Sequence, residues 1–452
     1  MTSYARRLGL FSGTMAVVGG IIGSGIFVGP AVVAQRVGTS GLALGAWGLG
    51  GLIALAGALC YAELGERMPK AGGQYVYLRD AIGPLPAFLY AWALLLVIST
   101  GAAAFVAVTF ANYTISLLGL PQSADLPLAI GAIVVVCAVN YVGVKPGAII
   151  QNVFTLLKLG ALATLIVAGL LLPFDPAPLP ASGSPFDTWG ALGVAGAIGA
   201  ALVPILFTYG GWQQTNFIAE EIVEPERNLP RALLIGVVIV VVVYLLANGA
   251  YLRVLTAPGL AASRAPAADA MRLVMGDTGA TVIAAGIAVS SFGFLDLVVL
   301  VTPRVLQAMA ADGVFFRRLA DLHPRFRTPT AAIVLMGIWA AGLTLTRWYG
   351  PLLDYVVFGD WIFFGASVAT LFVYRRRDRA AGVTPSLRFR TPWYPLVPGL
   401  FVAAAVYVVI SSVISNPGNA AIGTLLIGGG IPVYFLWRAR RSGGAAPTSE
   451  AS

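Results

Sequence analysis

A chain of 452 residues that is 58% hydrophobic and only 10% charged, with a mean hydropathy of +0.86, lacks the charge a water-facing surface needs. Soluble domains carry about 25% charged residues, so the composition excludes that class and predicts a membrane bundle. Its 54 Gly and 28 Pro suit close helix approach and broken helices lining a cavity. The net charge of +9 is what cationic loops on one membrane face produce, and no basic patch interleaved with exposed aromatics points to nucleic acid.

After Arg6 and Arg7, runs of about 20 apolar residues, enough to cross roughly 30 Å of hydrocarbon, recur twelve times. They cover 11–36, 42–65, 85–118, 127–143, 148–173, 194–220, 231–255, 278–310, 329–346, 351–374, 396–413 and 419–437. The first run has no small-residue cleavage site of a secretory signal, and Gly23-Ser24-Gly25 interrupts it. Cys60 and Cys137 lie in apolar runs and read as small buried hydrophobes rather than a disulfide or metal pair. Lys158 stands about ten residues into the fifth run. A lysine there costs at least about 2.5–3.5 kcal/mol on insertion scales, which marks it for function, with snorkelling to an interface as the alternative.

The sixth run breaks at Tyr209-Gly210-Gly211. Beyond it, Glu220, Glu221, Glu224 and Glu226, flanked by Arg227 and Arg231, read as a solvated or salt-bridged loop. Asn248, Asp296, Asp354 and Asp360 sit inside later runs and either line a pathway or make packing contacts, the latter favoured for Asn248. His323, the one histidine, reads as a loop residue with a structural role rather than a proton relay. The segment after Arg441 reads as a disordered end.

With an even number of spans and the N-terminus inside, 22 of the 28 Lys and Arg fall on the cytoplasmic side and five (Arg36, Arg253, Arg264, Arg272, Arg347) outside. The positive-inside rule then puts both termini in the cytoplasm. The two Gly-interrupted spans are five apart, and an odd repeat length inverts the second copy. The predicted organisation is a first repeat at 1–173, an inverted second repeat at 194–376, two further helices at 396–438 and a cytoplasmic tail at 439–452. Paired Gly-interrupted helices in two halves are the best sequence pointer to a transporter binding site.

Unwinding a helix in mid-membrane leaves N–H and C=O groups without partners. The freed N–H groups and positive dipole end near Ser24, Gly25 and Ile26 suit a carboxylate. The freed carbonyls near Ile21 and Phe207 suit an ammonium. Glycine there admits both the turn and a close ligand, and Ser24 adds a hydroxyl donor. An amino acid carries both complementary groups.

Gly23-Ser24-Gly25-Ile26-Phe27, Phe207-Thr208-Tyr209-Gly210-Gly211-Trp212, Glu220-Glu221 and Pro225-Glu226-Arg227-Asn228-Leu229-Pro230-Arg231 closely resemble the L-type amino acid transporter branch of the amino acid–polyamine–organocation (APC) superfamily. So do Glu63-Leu64-Gly65, Pro69-Lys70-Ala71-Gly72-Gly73-Gln74-Tyr75, Gln151-Asn152 with Lys158-Leu159, and Pro303-Arg304-Val305-Leu306 with His323-Pro324-Arg325-Phe326. The resemblance implies an all-α polytopic membrane protein of twelve transmembrane helices. Its LeuT-type fold has a 5+5 inverted repeat, discontinuous helices 1 and 6, and helices 11 and 12 outside the repeats.

It further implies that a substrate carboxylate sits on Gly23, Ser24, Gly25 and neighbouring amides, and the amine on carbonyls of Ile21, Phe207 and Gly210. Phe207 would gate the site from outside, and Trp361 would face the substrate side chain. Lys158 would stand where sodium-coupled relatives bind Na⁺, reaching carbonyls near Gly23 and the hydroxyl of Ser290 or Ser291. The expected function is sodium-independent exchange of small neutral amino acids such as alanine, serine or cysteine across a bacterial inner membrane. The alternative is a proton-coupled or cationic amino acid or polyamine transporter.

The neutral class rests on two readings: no carboxylate is evident beside helices 1 and 6, and Gln213 stands where arginine exchangers of the superfamily carry an acid. Asp296 stands where family members often have a neutral polar residue. No cofactor or metal is expected. With neither cysteine in an extracellular loop, no disulfide-linked single-span partner is expected either. A membrane enzyme is disfavoured by the single histidine and the lack of metal spacing or a GxSxG elbow. A channel is the third class, separable by trans-acceleration of flux.

Overall fold

The computed structural model describes residues 4–174, 193–347, 349–415 and 417–443. The described residues form helices and connecting turns, with no β-strand. The first interrupted run becomes two helices, α1 (Leu10–Ile21) and α2 (Gly25–Val37), bent by 43°. There follow α3 (Ser40–Arg67), a short α4 (Gln74–Ala81), then α5 (Pro84–Ala93) and α6 (Ser99–Leu118), joined by a π-helical turn at Leu94–Ile98. Next come α7 (Asp125–Val142), α8 (Val144–Leu171) and α9 (Gly193–Thr208). A 3₁₀ segment, Trp212–Glu221, continues α9 beyond its break and leads into α10 (Pro225–Ala262) and α11 (Pro266–Ala311). The chain finishes with α12 (Thr330–Leu345), α13 (Tyr349–Ala380), α14 (Leu396–Ser415), α15 (Pro417–Gly428) and α16 (Gly430–Gly443).

All twelve predicted runs are helical. Among the described residues nine helical segments are long and apolar enough to cross a membrane, and the bent α1–α2 pair makes ten. The predicted ninth and tenth runs correspond to α12, a shorter apolar helix, and to α13. Two features lie outside the predicted spans. One is α4; the other is the beginning of α11, set off from the rest by Gly276 in the left-handed region at φ 64°. The tail residues 444–452 and the side chain of Asp354 lie outside the described residues.

The interrupted helices sit at the middle of the bundle. α1 packs against α8, α10 and α11, while α2 lies along α9 and α10. α10 also packs on α3, and α11 on α6 and α8. Close approach is built from glycine: a Cβ on Gly236 of α10 would come within 2.6 Å of the Val17 side chain, and one on Gly286 of α11 within 2.6 Å of Ala161. Small residues at helix contacts replace the hydrophobic driving force that lipid does not supply.

One end of the bundle is tied shut beneath the broken helices. The Arg7 and Leu8 amides donate to the Glu221 carbonyl at 2.9 and 3.0 Å, and Val223 N–H donates to Leu8 O at 2.8 Å. Of the solvated or salt-bridged loop expected for the acidic cluster, Glu221 takes the salt-bridged form, but buried rather than in a loop at the surface. Glu221 is fully buried and accepts from Arg304 Nε at 2.7 Å, with neither side chain exposed. Arg304, counted among the cytoplasmic-side charges, is buried inside α11, its guanidinium over the Tyr4 ring. Of the same cluster Glu224 is exposed, 3.6 Å from Arg227. Nearby, Glu63 accepts from Arg375 Nη2 at 2.6 Å, Arg67 Nε at 3.0 Å and the Thr391 amide at 2.8 Å. His323 closes a turn, its Nδ1 accepting from the amides of Arg325 and Phe326 at 3.3 Å.

Removing one partner of a buried ion pair strands the other charge, at about 3–5 kcal/mol. Arg304→Met is therefore expected to lower the melting temperature of the purified protein in detergent. Adding Glu221→Gln should recover part of that loss, because the stranded carboxylate is gone. Equal melting of wild type and Arg304→Met would contradict the burial.

Candidate functional site

The break between α1 and α2 exposes peptide groups that a continuous helix would pair. The amides of Ser24, Gly25 and Ile26 make no hydrogen bond among the described residues, as expected for the first turn of α2. Gly23, Ser24 and Gly25 line a cavity of about 110 Å³ bounded also by Phe207, Gly210 and Trp361. Room for one water takes about 10–15 Å³ on such a measure, so the space holds several waters or a small solute. Ile26 is the exception among the predicted carboxylate residues. Its side chain is fully buried away from the cavity, and only its amide is free.

The carbonyls are largely spoken for. Lys158 is fully buried on α8, and its Nζ donates to Gly19 O at 3.1 Å and Ile22 O at 2.8 Å. Snorkelling is thereby excluded. Ser290 Oγ donates to the same Ile22 carbonyl at 3.3 Å, whereas the buried Ser291 hydroxyl has no partner among the described residues. Of the two serines offered by the sequence, Ser290 shares the lysine's acceptor. Gly293 lets α11 approach α8 nearby: a Cβ there would stand 2.8 Å from the Phe154 Cβ.

Ile21 O accepts both the Gly23 amide at 2.9 Å and the Tyr244 hydroxyl at 3.1 Å. Both its lone pairs are used, which removes it from the acceptors expected for a substrate amine. Phe207 O accepts only the Gly210 amide at 3.1 Å, and the Gly210 carbonyl accepts nothing among the described residues. Those two remain available.

Tyr244 escaped the sequence reading. Buried on α10, it donates within reach of both Ile21 O and Thr208 O (3.3 Å), and so ties the two breaks together. A buried tyrosine hydroxyl seeks a partner, but nothing in the sequence says which. The backbones at the breaks also touch directly. Gly211 has φ 112°, and a Cβ on it would stand 2.1 Å from Gly20 O. A second missed feature was legible in spacing: Gln151, Thr155 and Lys158 share one face of α8 at i, i+4 and i+7. Thr155 Oγ1 donates to Met15 O at 3.3 Å, and Gln151 Nε2 to Thr155 at 3.2 Å. This face runs along the backbone of α1 and ends at Lys158.

Of the other intramembrane polar groups, Asn248 donates to Tyr244 O at 2.8 Å, a packing contact. Asp296 is buried and accepts from Asn140 Nδ2 at 2.8 Å; its Oδ2 has no partner among the described residues, and it lies outside ion-pairing distance of Lys158. Trp361 lines the cavity, stacked on Phe401 at 5.9 Å. Beside it Asp360 also lines the cavity. Of the two readings open for Asp360, lining a pathway or packing, the structure gives the first: the acid comes from α13 and none comes from the broken helices.

The family model for amino acid permeases matches residues 8–436. This chain belongs to the amino acid permease family. The permease is 33% identical to the human b(0,+)-type amino acid transporter 1 over 449 residues, covering 96% of this chain and 88% of the relative. It is 34% identical to the mouse large neutral amino acids transporter small subunit 2 over 444 residues, covering 95% and 81%. The permease is thus a multi-pass membrane protein that transports amino acids and is not an enzyme, in the superfamily that its sequence motifs resemble.

Two substitutions test the construction of the breaks. Gly211→Ala should abolish a monodisperse peak in detergent chromatography, because its Cβ would overlap a carbonyl and its φ is strained for any other residue. Tyr244→Phe leaves buried carbonyls short of a donor and should cost about 1–3 kcal/mol, read as a lower melting temperature. An unchanged profile in both variants would contradict the packing described.

Proposed function

We propose that the permease is a sodium-independent amino acid exchanger working by alternating access, with the zwitterionic head of the substrate bound between the two broken helices. The carboxylate takes the amides of Ser24 and Gly25, helped by the Ser24 hydroxyl and the N-terminal end of α2. The ammonium takes the carbonyls of Phe207 and Gly210, and Phe207 closes over it as the outer gate. The observation that carries the coupling is the Lys158 ammonium on the carbonyls of Gly19 and Ile22. A fixed cation on those carbonyls does what a bound sodium ion would otherwise do, so no sodium is needed to hold α1 in its broken form.

The moving parts are the two five-helix repeats, 1–173 and 194–376, rocking about the breaks, with α14 to α16 outside them. Both termini face the cytoplasm of a bacterial cell, on the evidence of the arginine-rich side. Cys60 and Cys137 lie within α3 and α7 rather than in a connecting segment, which supports function without a disulfide-linked partner. Small neutral amino acids such as alanine are the simplest substrates that this head-group site admits.

Liposomes carrying the protein, without sodium and loaded with unlabelled alanine, should take up labelled alanine faster than unloaded ones, and adding sodium should change nothing. Lys158→Ala loses hydrogen bonds made by a charged group, each about 1.5–3 kcal/mol, so exchange should fall about tenfold or more. Full-rate exchange at unchanged affinity in Lys158→Ala would overturn its role. Alanine uptake seen only under an imposed pH gradient would replace exchange by proton symport.

A further inference from the structure

The head-group site leaves the far wall of the cavity unexplained. Asp360, on α13 next to Trp361, lines that cavity and has neither an ion-pair partner nor a hydrogen-bond donor among the described residues. Among the described residues no lysine or arginine lines the cavity with it. Lys158 lies behind α1, committed to carbonyls. Gln214 is on the same lining, and its buried Oε1 has no partner among the described residues. The remaining wall is aromatic, from Phe207, Phe217, Trp361 and Phe364.

We propose that Asp360 is the specificity residue that admits amino acids with a cationic side chain, its carboxylate and Gln214 Oε1 receiving the guanidinium or ammonium between aromatic faces. The inference rests on the head-group site proposed above and deepens it. A zwitterionic head brings no net charge, so a neutral side chain offers Asp360 no counter-charge as the cavity closes. A substrate with one further positive charge pairs it. A guanidinium carries donors enough for both a carboxylate and an amide oxygen, and cations are attracted to aromatic faces. Asp360 and Trp361 are neighbours in sequence, so one turn of α13 presents both the charge and the ring.

The test is counterflow in sodium-free liposomes carrying the whole protein, with arginine set against citrulline, which keeps its shape but lacks its charge. Arginine should compete with labelled alanine at least about tenfold better than citrulline, as expected for a charge-assisted pair over a neutral one. Asp360→Asn should lower the ratio of arginine to alanine kcat/KM by about tenfold or more, with Asp360→Glu recovering part of it. Elution of both variants as single peaks separates selectivity from misfolding. Equal competition by arginine and citrulline in the wild type would overturn the proposal, whatever the variants do. So would alanine uptake driven by a pH gradient that Asp360→Asn abolishes, since Asp360 would then carry a proton. Exchange of alanine but not arginine refutes this inference alone; no exchange of any amino acid refutes the head-group site and this inference with it.

Discussion

A helix broken inside hydrocarbon has unpaired peptide groups, and their satisfaction organises this permease. Each costs several kcal/mol if left alone. The molecule deals with the two polarities differently. Carbonyls at the end of α1 are met by the protein itself: Lys158 on Gly19 and Ile22, Ser290 on Ile22, Tyr244 on Ile21. Amides at the start of α2 are left open to the cavity. That asymmetry makes the break an anion site in search of a carboxylate, held in shape by a buried cation of its own.

The supporting helices follow from this. α8 brings the Gln151–Thr155–Lys158 face to α1, α10 brings Tyr244 across to both breaks, and α11 brings Ser290. Glycine lets the backbones come close enough for these bonds to form, as at Gly211 over Gly20 and Gly293 against Phe154. At one end, the buried Arg304–Glu221 pair and the backbone bonds between Leu8 and Val223 close the space beneath the 3₁₀ segment. Because the same pair joins α11 to the segment beyond the second break, any opening of that end has to move a buried ion pair. Such a contact is bistable rather than gradually deformable.

The membrane class, the approximate helices, the two breaks and the lysine were legible in the sequence, because each depends on local free energy. Apolar runs of bilayer length, glycine inside them and a charge where no charge is tolerated are signals that need no partner to be read. The family motifs added the roles. Legibility stopped at residues whose meaning lies in a partner far along the chain. Ile21 was expected as an open acceptor and is filled by Tyr244, 223 residues away. Arg304 was counted among the cytoplasmic-side charges and Glu221 in a loop, and they form a buried pair across 83 residues.

The sequence by itself therefore determined that this is a multi-span amino acid permease with a broken-helix centre and a buried lysine. Composition, hydropathy and motif are properties of the chain alone. Tertiary structure decided which carbonyls are filled, which stay open, and that Asp360 faces the cavity rather than a neighbouring helix. Those outcomes depend on how each helix is rotated about its axis. In a uniformly apolar helix the hydrophobic pattern does not specify that rotation; packing against neighbours does.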